Sequence, residues 1–348
     1  MSVLNALQTN DAAKNKVAGH RDPTKLANLP GAMRAYMAAF PAQPSYEDVV
    51  RASGLGYLCP REFVLHYWCP TPNKTFDARS QFMMGCGTYL HSVIQNMVLG
   101  PMGVLKGYWK KYDTDASGQQ MLVSANLEPR FHPDPERSIW EHTRQLPLSW
   151  QYEEYRVWDE DLRLAGHLDG VVSLDRIEWL ADNFALVQAD PHKAFTELAK
   201  IPAGDEAKLE IKTCGSWIYK KLRLSSDISE PYRMQSNAYQ HLMGIHRAVF
   251  WYVDRDSMDS KMLPYWYEKH VWEHARHKIV TIWEAIRDFR LPEAFRCCNT
   301  PKERRAKDCV FKDLCFHRWA PGQFENWCRD QMKLQPNRQF LDLQGRTW

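Results

Sequence analysis

The sequence predicts an α/β fold with a mixed central sheet flanked by helices, and three observations predict it. Ala248-Val-Phe-Trp-Tyr-Val253 is a short apolar, aromatic run that suits a buried strand. Lys208–Thr213 alternates polar and apolar residues, the period of a strand with one polar face. Gln81–Leu99, Tyr232–Ile245 and His270–Phe289 instead repeat apolar residues at helical spacing. The resulting order of helix, strands, helix, strand and helix is that of an α/β core.

Taken along the chain, residues 1–45 are rich in Ala, Pro, Asn and Lys and read as an N-terminal arm. Residues 46–80 read as a helical segment up to Trp68, where Cys69-Pro-Thr-Pro-Asn73 breaks the chain. The predicted core spans 81–290. It opens on the Gln81–Leu99 helix, leaves the core over about 101–147, and returns as strands at Gln151–Trp158 and Leu162–Leu174. Asp159-Glu-Asp161 makes the turn between those strands. Residues 175–206 read as a second insertion before the Lys208 strand, and 291–348 as a cysteine-rich C-terminal segment.

Composition narrows the function classes. With 45 basic and 42 acidic groups the formal net charge is only +3, so a nucleic-acid partner requires a local basic groove rather than a global field. Met1–Lys25 lacks the apolar stretch of a secretory signal, and no apolar run is long enough to span a bilayer. The expectation is a cytoplasmic protein of a bacterial or phage-infected cell, without a membrane partner. In that compartment disulfides are disfavoured, so nine cysteines point toward metal binding for some and buried packing for others.

The chemistry-bearing residues form an ordered series. Gly87-x-x-x-His91 lies on the first core helix, Gly166-x-x-Asp169 within the paired strands, Glu210-x-Lys212 on the next strand, and Gln235-x-x-x-Tyr239 on the following helix. Glu210 and Lys212, two apart on a strand, share one face. Asp169, Glu210 and the Ile211 carbonyl offer the oxygen ligands that hard divalent cations take. Such an ion polarises a phosphate and acidifies its bound water, and Lys212 would neutralise developing charge. Glu-x-Lys alone is usually a solvated pair; its company gives it weight. Gln235 and Tyr239 share a helix face.

In this ordered combination, over roughly 81–254, the sequence resembles the RecB-type branch of the PD-(D/E)XK nucleases. The resemblance implies His91, Asp169, Glu210 and Ile211 as ligands of Mg2+ or Mn2+, and Asp169, Glu210 and Lys212 as the catalytic set. It implies that Gln235 and Tyr239 pack beside the site and help hold DNA. The gap from Asp169 to Glu210 is long for this pattern and requires 175–206 to loop out. Lys220, Lys221 and Arg223 follow the catalytic strand, where they would track a DNA backbone, with Trp217 and Tyr219 to stack on bases.

Cysteines extend the resemblance. Cys59-Pro-Arg61 lies near the N-terminus, the pair Cys297 and Cys298 follows the core, and Cys309-x5-Cys315 follows that. Thiolates suit Zn2+ or an iron–sulfur cluster, and the spacing alone selects neither. The pattern is similar to the iron–sulfur RecB-type nucleases, namely the CRISPR-adaptation exonucleases, the AddB nuclease domain and exonuclease V. It implies a structural [4Fe–4S] cluster on Cys59, Cys298 (or Cys297), Cys309 and Cys315, joining the two chain ends. Ten residues separate Cys298 from Cys309 where those nucleases have two, which leaves Cys69, Cys86 or Cys328 as substitutes. The implied function is an exonuclease on DNA, single-stranded or with free ends. It would act in repair, recombination or phage DNA processing, with a helicase or recombinase as a partner for unwinding. The alternatives are a non-cutting DNA-binding module and a zinc-stapled endonuclease.

Overall fold

The computed structural model describes residues 49–69, 78–100, 102–114, 120–127, 150–198, 200–202, 204–225, 227–293, 298 and 300–335. The arm at 1–45 and Cys297 lie outside them. The described chain begins with strand β1 (Val50–Arg51) and helix α1 (Pro60–Trp68). Pro60 occupies the first helical turn, where its missing N–H and fixed φ suit a helix start. Among the described residues of the helix expected over 46–68, the α-helix covers only 60–68, after a 3-10 turn at Ala52–Gly54.

Helix α2 (Ala78–Val93) runs straight into a π-helical turn, Ile94–Leu99. Strands β2 (Leu105–Lys106), β3 (Tyr108–Thr114), β4 (Gln120–Leu127) and β5 (Trp150–Glu153) follow. The first excursion from the core is thus partly a sheet, with β3 between β4 and β5. Then come β6 (Tyr155–Asp159), β7 (Leu164–Leu168) and β8 (Gly170–Ser173). The second insertion is helical: α3 (Leu174–Asp182), α4 (Phe184–Ala189) and α5 (Pro191–Leu198). Ser173 caps α3 by accepting from the Arg176 amide at 3.4 Å.

The core resumes with β9 (Glu206–Cys214), α6 (Ser216–Leu224), α7 (Glu230–Met243), β10 (Arg247–Asp254), β11 (Ser260–Trp266) and α8 (Lys269–Arg287). Gly244 ends α7 in the left-handed conformation at φ 67°. The C-terminal segment holds α9 (Arg304–Lys307), α10 (Lys312–Phe316) and α11 (Gln323–Lys333).

The central sheet has the order β11-β10-β9-β8-β2. Strands β9 and β10 are parallel, while β8 and β11 run antiparallel to their neighbours. The sheet is therefore mixed, as expected, and β9 lies at its centre. A smaller sheet, β1-β7-β6, lies beside it. Helix α8 buries Trp272, Ala275, Ile279, Ile282, Trp283 and Ile286, a stripe at helical spacing. Each large member contributes about 1.5–3 kcal/mol on burial. This stripe packs with Phe63, Val64 and Tyr67 of α1 and with Ala238 and Tyr239 of α7. Phe311, Phe324 and Cys328 from the C-terminal segment join the same cluster.

Candidate active site and cysteine cavity

Alternation along β9 places Lys208, Glu210 and Lys212 on one face. Glu210 is only 2% exposed, and three donors converge on it. Lys208 Nζ approaches its Oε2 at 2.5 Å, Lys212 Nζ its Oε1 at 2.5 Å, and Gln235 Nε2 donates to Oε1 at 2.8 Å. Burial alone would raise the Glu210 carboxyl, but the Lys208 and Lys212 charges outweigh it and bring the pKa down to about 2. Lys212, at the rim, is held above the ordinary lysine value by Glu210 and then Asp169, against the opposing effect of burial.

Lys208 was not among the expected site residues. It is wholly buried, with its ammonium 5.3 Å from the centre of the Tyr239 ring and 5.1 Å from that of Phe250. It also donates to Ser236 Oγ at 3.1 Å. Burial pushes its pKa down, and the Glu210 charge partly offsets that.

Asp169 occupies the single residue between β7 and β8, where the ladder to β9 begins with Gly170 opposite Leu209. Its Oδ2 accepts the Ile211 amide at 2.6 Å, and its Oδ1 lies 3.4 Å from His91 Nδ1. Burial would lower the His91 pKa, but the Asp169 hydrogen bond and charge outweigh it and raise it. Ile211 itself is completely buried. Thus His91, Asp169, Glu210 and Lys212, drawn from α2, the β7–β8 junction and β9, meet at one place.

Two glycines explain how close these elements come. A Cβ on Gly166 would lie 2.5 Å from the Tyr239 ring, and one on Gly87 would lie 3.1 Å from Thr213 Oγ1. Gly166 therefore admits the α7 aromatic under β7, and Gly87 lets α2 approach β9 so that His91 reaches Asp169.

A second unexpected residue is Glu154, between β5 and β6. Glu154, His91 and Asp169 each offer one ligand atom, and these atoms lie within 4.8 Å of one another. Burial first, and the Asp169 charge after it, push the Glu154 carboxyl up, although the bond from Gln95 lowers it. Nothing in Gln151-Tyr-Glu-Glu-Tyr155 distinguishes Glu154 from Glu153; only the strand break does.

Gln235 and Tyr239 are 5% and 1% exposed, so they act from inside the chain, Gln235 on Glu210 and Tyr239 beneath Lys208. Direct contact with DNA, the role the resemblance implied for them, is closed to Tyr239 in this arrangement. Tyr219 is also buried, which rules out base stacking by its ring. Trp217, by contrast, is 70% exposed, with Lys221 Nζ 3.7 Å over its ring. Lys220 and Lys221 both lie exposed on α6.

Far along the chain, Cys59, Cys298, Cys309 and Cys315 line one small cavity with Leu65, Phe311 and Phe316. Arg61 Nη1 donates to the Cys315 carbonyl at 3.1 Å and lies 3.8 Å from its Sγ, while Arg61 Nε donates to the Pro292 carbonyl at 2.6 Å. Arg305, from the basic 302–307 segment, donates to the Tyr57 carbonyl and lies 3.9 Å from Glu62. Burial pushes the Cys59 and Cys309 thiols up. Of the three substitutes, Cys328 is fully buried in the core, and neither it, Cys69 nor Cys86 lines this cavity. No described helix is long and apolar enough to cross a membrane.

No family model and no curated protein matches this chain. Among solved structures, it is similar to the crystal structure of SSO0001 at 11% identity and a TM-score of 0.33, covering 85% of this chain and 98% of that one. It is also similar to an alkaline exonuclease (LHK-Exo) from Laribacter hongkongensis at 10% identity and a TM-score of 0.27, covering 42% of this chain and 62% of that one.

Proposed function

We propose that this protein is a Mg2+- or Mn2+-dependent deoxyribonuclease that works from DNA ends. The observation that carries the reading is the position of Asp169, which touches His91 on one side and the Ile211 amide of the Glu210–Lys212 strand on the other. A divalent cation suits the donor set of His91, Asp169 and Glu210, with the Ile211 carbonyl completing it. When bound there, it would polarise the scissile phosphate and acidify a coordinated water. Lys212 is the one cation of the β9 trio that reaches solvent, at 21% side-chain exposure against 0% for Lys208. It is therefore placed to neutralise charge that develops on the phosphate. Glu210 keeps that ammonium protonated and aimed. Lys220, Lys221 and the exposed Trp217 ring on the next helix would guide the strand by charge and stacking.

For the cysteines, the reading is a structural [4Fe–4S] cluster on Cys59, Cys298, Cys309 and Cys315. Four thiols around one cavity, which Leu65, Ala306, Phe311 and Phe316 line together with the charged Glu62, Arg305 and Lys312, support it. The cluster would tie the first described helix to the C-terminal segment.

The test is incubation of end-labelled linear and closed circular DNA with purified protein and Mg2+ or Mn2+, beside Glu210→Ala. Linear DNA is expected to be degraded and circles to survive, while Glu210→Ala falls by at least about 100-fold, the size of a lost transition-state contact. Wild-type cutting by Glu210→Ala removes the site assignment. Equal cutting of circles removes the end requirement alone.

A further inference from the structure

Glu154 has a neighbour of identical chemistry with a different fate. Glu153 pairs with Lys110 at 3.0 Å across the β3–β5 ladder. None of the ion pairs among the described residues includes Glu154. Instead its Oε1 takes one N–H of Gln95 at 3.2 Å, and the same amide donates to the Asp169 carbonyl at 2.7 Å. Gln95 is 5% exposed and belongs to the π-helical turn. Such turns insert one residue into a helix and recur at functional sites. The next residue of the turn, Asn96, accepts the Tyr152 amide at 2.5 Å and so fixes β5 two residues before Glu154. One turn therefore holds both carboxylate-bearing strand breaks in place.

We propose that Glu154 is a ligand of the divalent cation in this site, with Gln95 as the residue that positions it. The inference rests on the metal-dependent reading of His91 and Asp169. One atom from each of the three side chains lies within 4.8 Å of the others. Around an ion with bonds of about 2.1 Å, adjacent ligands stand roughly 3 Å apart, so small side-chain adjustments close the set. Charge points the same way. Glu210 has two ammonium groups in direct contact with its carboxylate. Among the described ion pairs, by contrast, Asp169 directly meets only His91, with Lys208 and Lys212 acting on it at longer range, and Glu154 has only the His91 and His167 rings as nearby cations. A cation placed among the three supplies the missing charge. His91, Glu154 and Asp169 thus anchor the ion on one side, Glu210 and the Ile211 carbonyl complete its donors on the other, and Lys212, the lysine of the pair that reaches solvent, meets the phosphate.

The experiment is a Mn2+ titration of chelator-stripped full-length protein, with free Mn2+ followed by electron paramagnetic resonance. Wild type, Glu154→Gln, Glu154→Asp and Glu153→Gln are compared, with folding checked by circular dichroism. Glu154→Gln should bind Mn2+ at least about 10-fold more weakly, while Glu153→Gln stays within about twofold of wild type. Wild-type affinity in a folded Glu154→Gln chain overturns the assignment. If Glu154→Gln does not fold, Glu154→Asp decides: its shorter arm should cost severalfold in affinity, and wild-type affinity there overturns the assignment too. The outcomes separate from the nuclease reading. Wild-type protein that neither binds Mn2+ nor cuts DNA defeats that reading and this inference together. Tight Mn2+ binding by Glu154→Gln beside an active wild type defeats this inference only.

Discussion

At the residue scale, the feature with the largest energetic consequence is the Lys208–Glu210 pair. Two opposite charges with 0% and 2% side-chain exposure have given up their water, and only each other, Lys212, Gln235 and Ser236 replace it. Removing one partner leaves the other buried and undercompensated, a loss of about 3–5 kcal/mol for such pairs. Lys208→Met should therefore destabilise the chain by about that much in urea unfolding, and adding Glu210→Gln to it should recover part of the loss. Strict additivity of the two substitutions would show that the pair is not coupled. The sign of the pH effect follows from Glu210. Its folded-state pKa of about 2 lies below the ordinary 4.5, so its contribution is fully present above 4.5 and drains as the pH falls toward 2. Wild-type unfolding free energy should drop across that window by more than that of Glu210→Gln; parallel curves would refute it.

At the element scale, the site depends on α7 seating Tyr239 against β7. Gly166→Ala drives a methyl into the Tyr239 ring, whose nearest atoms lie at 2.5 and 2.6 Å. Overpacking of this kind costs about 1–3 kcal/mol, and Tyr239→Leu in the same chain should relieve it in thermal melts. A Gly166→Ala chain as stable as wild type would mean the two elements are free to part. This contact also shows what was legible in the sequence. The glycine and the tyrosine were visible as members of a motif series, and their strand and helix settings were read from periodicity. That one exists to admit the other is a matter of three-dimensional approach. Lys208 was hidden for the same reason. A lysine on an alternating strand reads as solvent-facing, and only Tyr239 and Phe250, supplied by α7 and β10, bury it. Glu154 was hidden because its difference from Glu153 lies in a strand break rather than in any local residue pattern. Strand β11 carries Pro264 and sits at the sheet edge, where proline is tolerated but weakens the strand pattern. The sequence shows the insertion over 175–206 only as a loop-out, because its helices, of 9, 6 and 8 residues, are too short to display a clear helical period.

At the scale of the whole molecule, the two ends of the described chain meet. Arg61 reaches the carbonyls of Pro292 and Cys315, Gln335 Nε2 donates to the Trp68 carbonyl at 2.8 Å, and the four cysteines close on one cavity. A cross-link between Cys59 and Cys298 closes a loop of about 240 residues, which restricts the unfolded chain by several kcal/mol in the arithmetic of long loops. The same junction packs α1 against α8 and α7, the layer that carries Tyr239 beneath Lys208. An iron–sulfur clamp here would thus stabilise the floor of the site without touching its chemistry. Protein purified without air should be brown and contain iron. Cys309→Ser should lose iron and about 2–5 kcal/mol of stability, a fall in melting temperature of about 3–7 °C for a chain of this size. Glu210→Ala should keep its full iron content while losing cleavage, because the two sites share a core and no ligand. Full iron in Cys309→Ser would remove Cys309 from the ligand set, and a colourless, zinc-loaded wild type would replace the cluster with a zinc staple while leaving the β9 site as proposed.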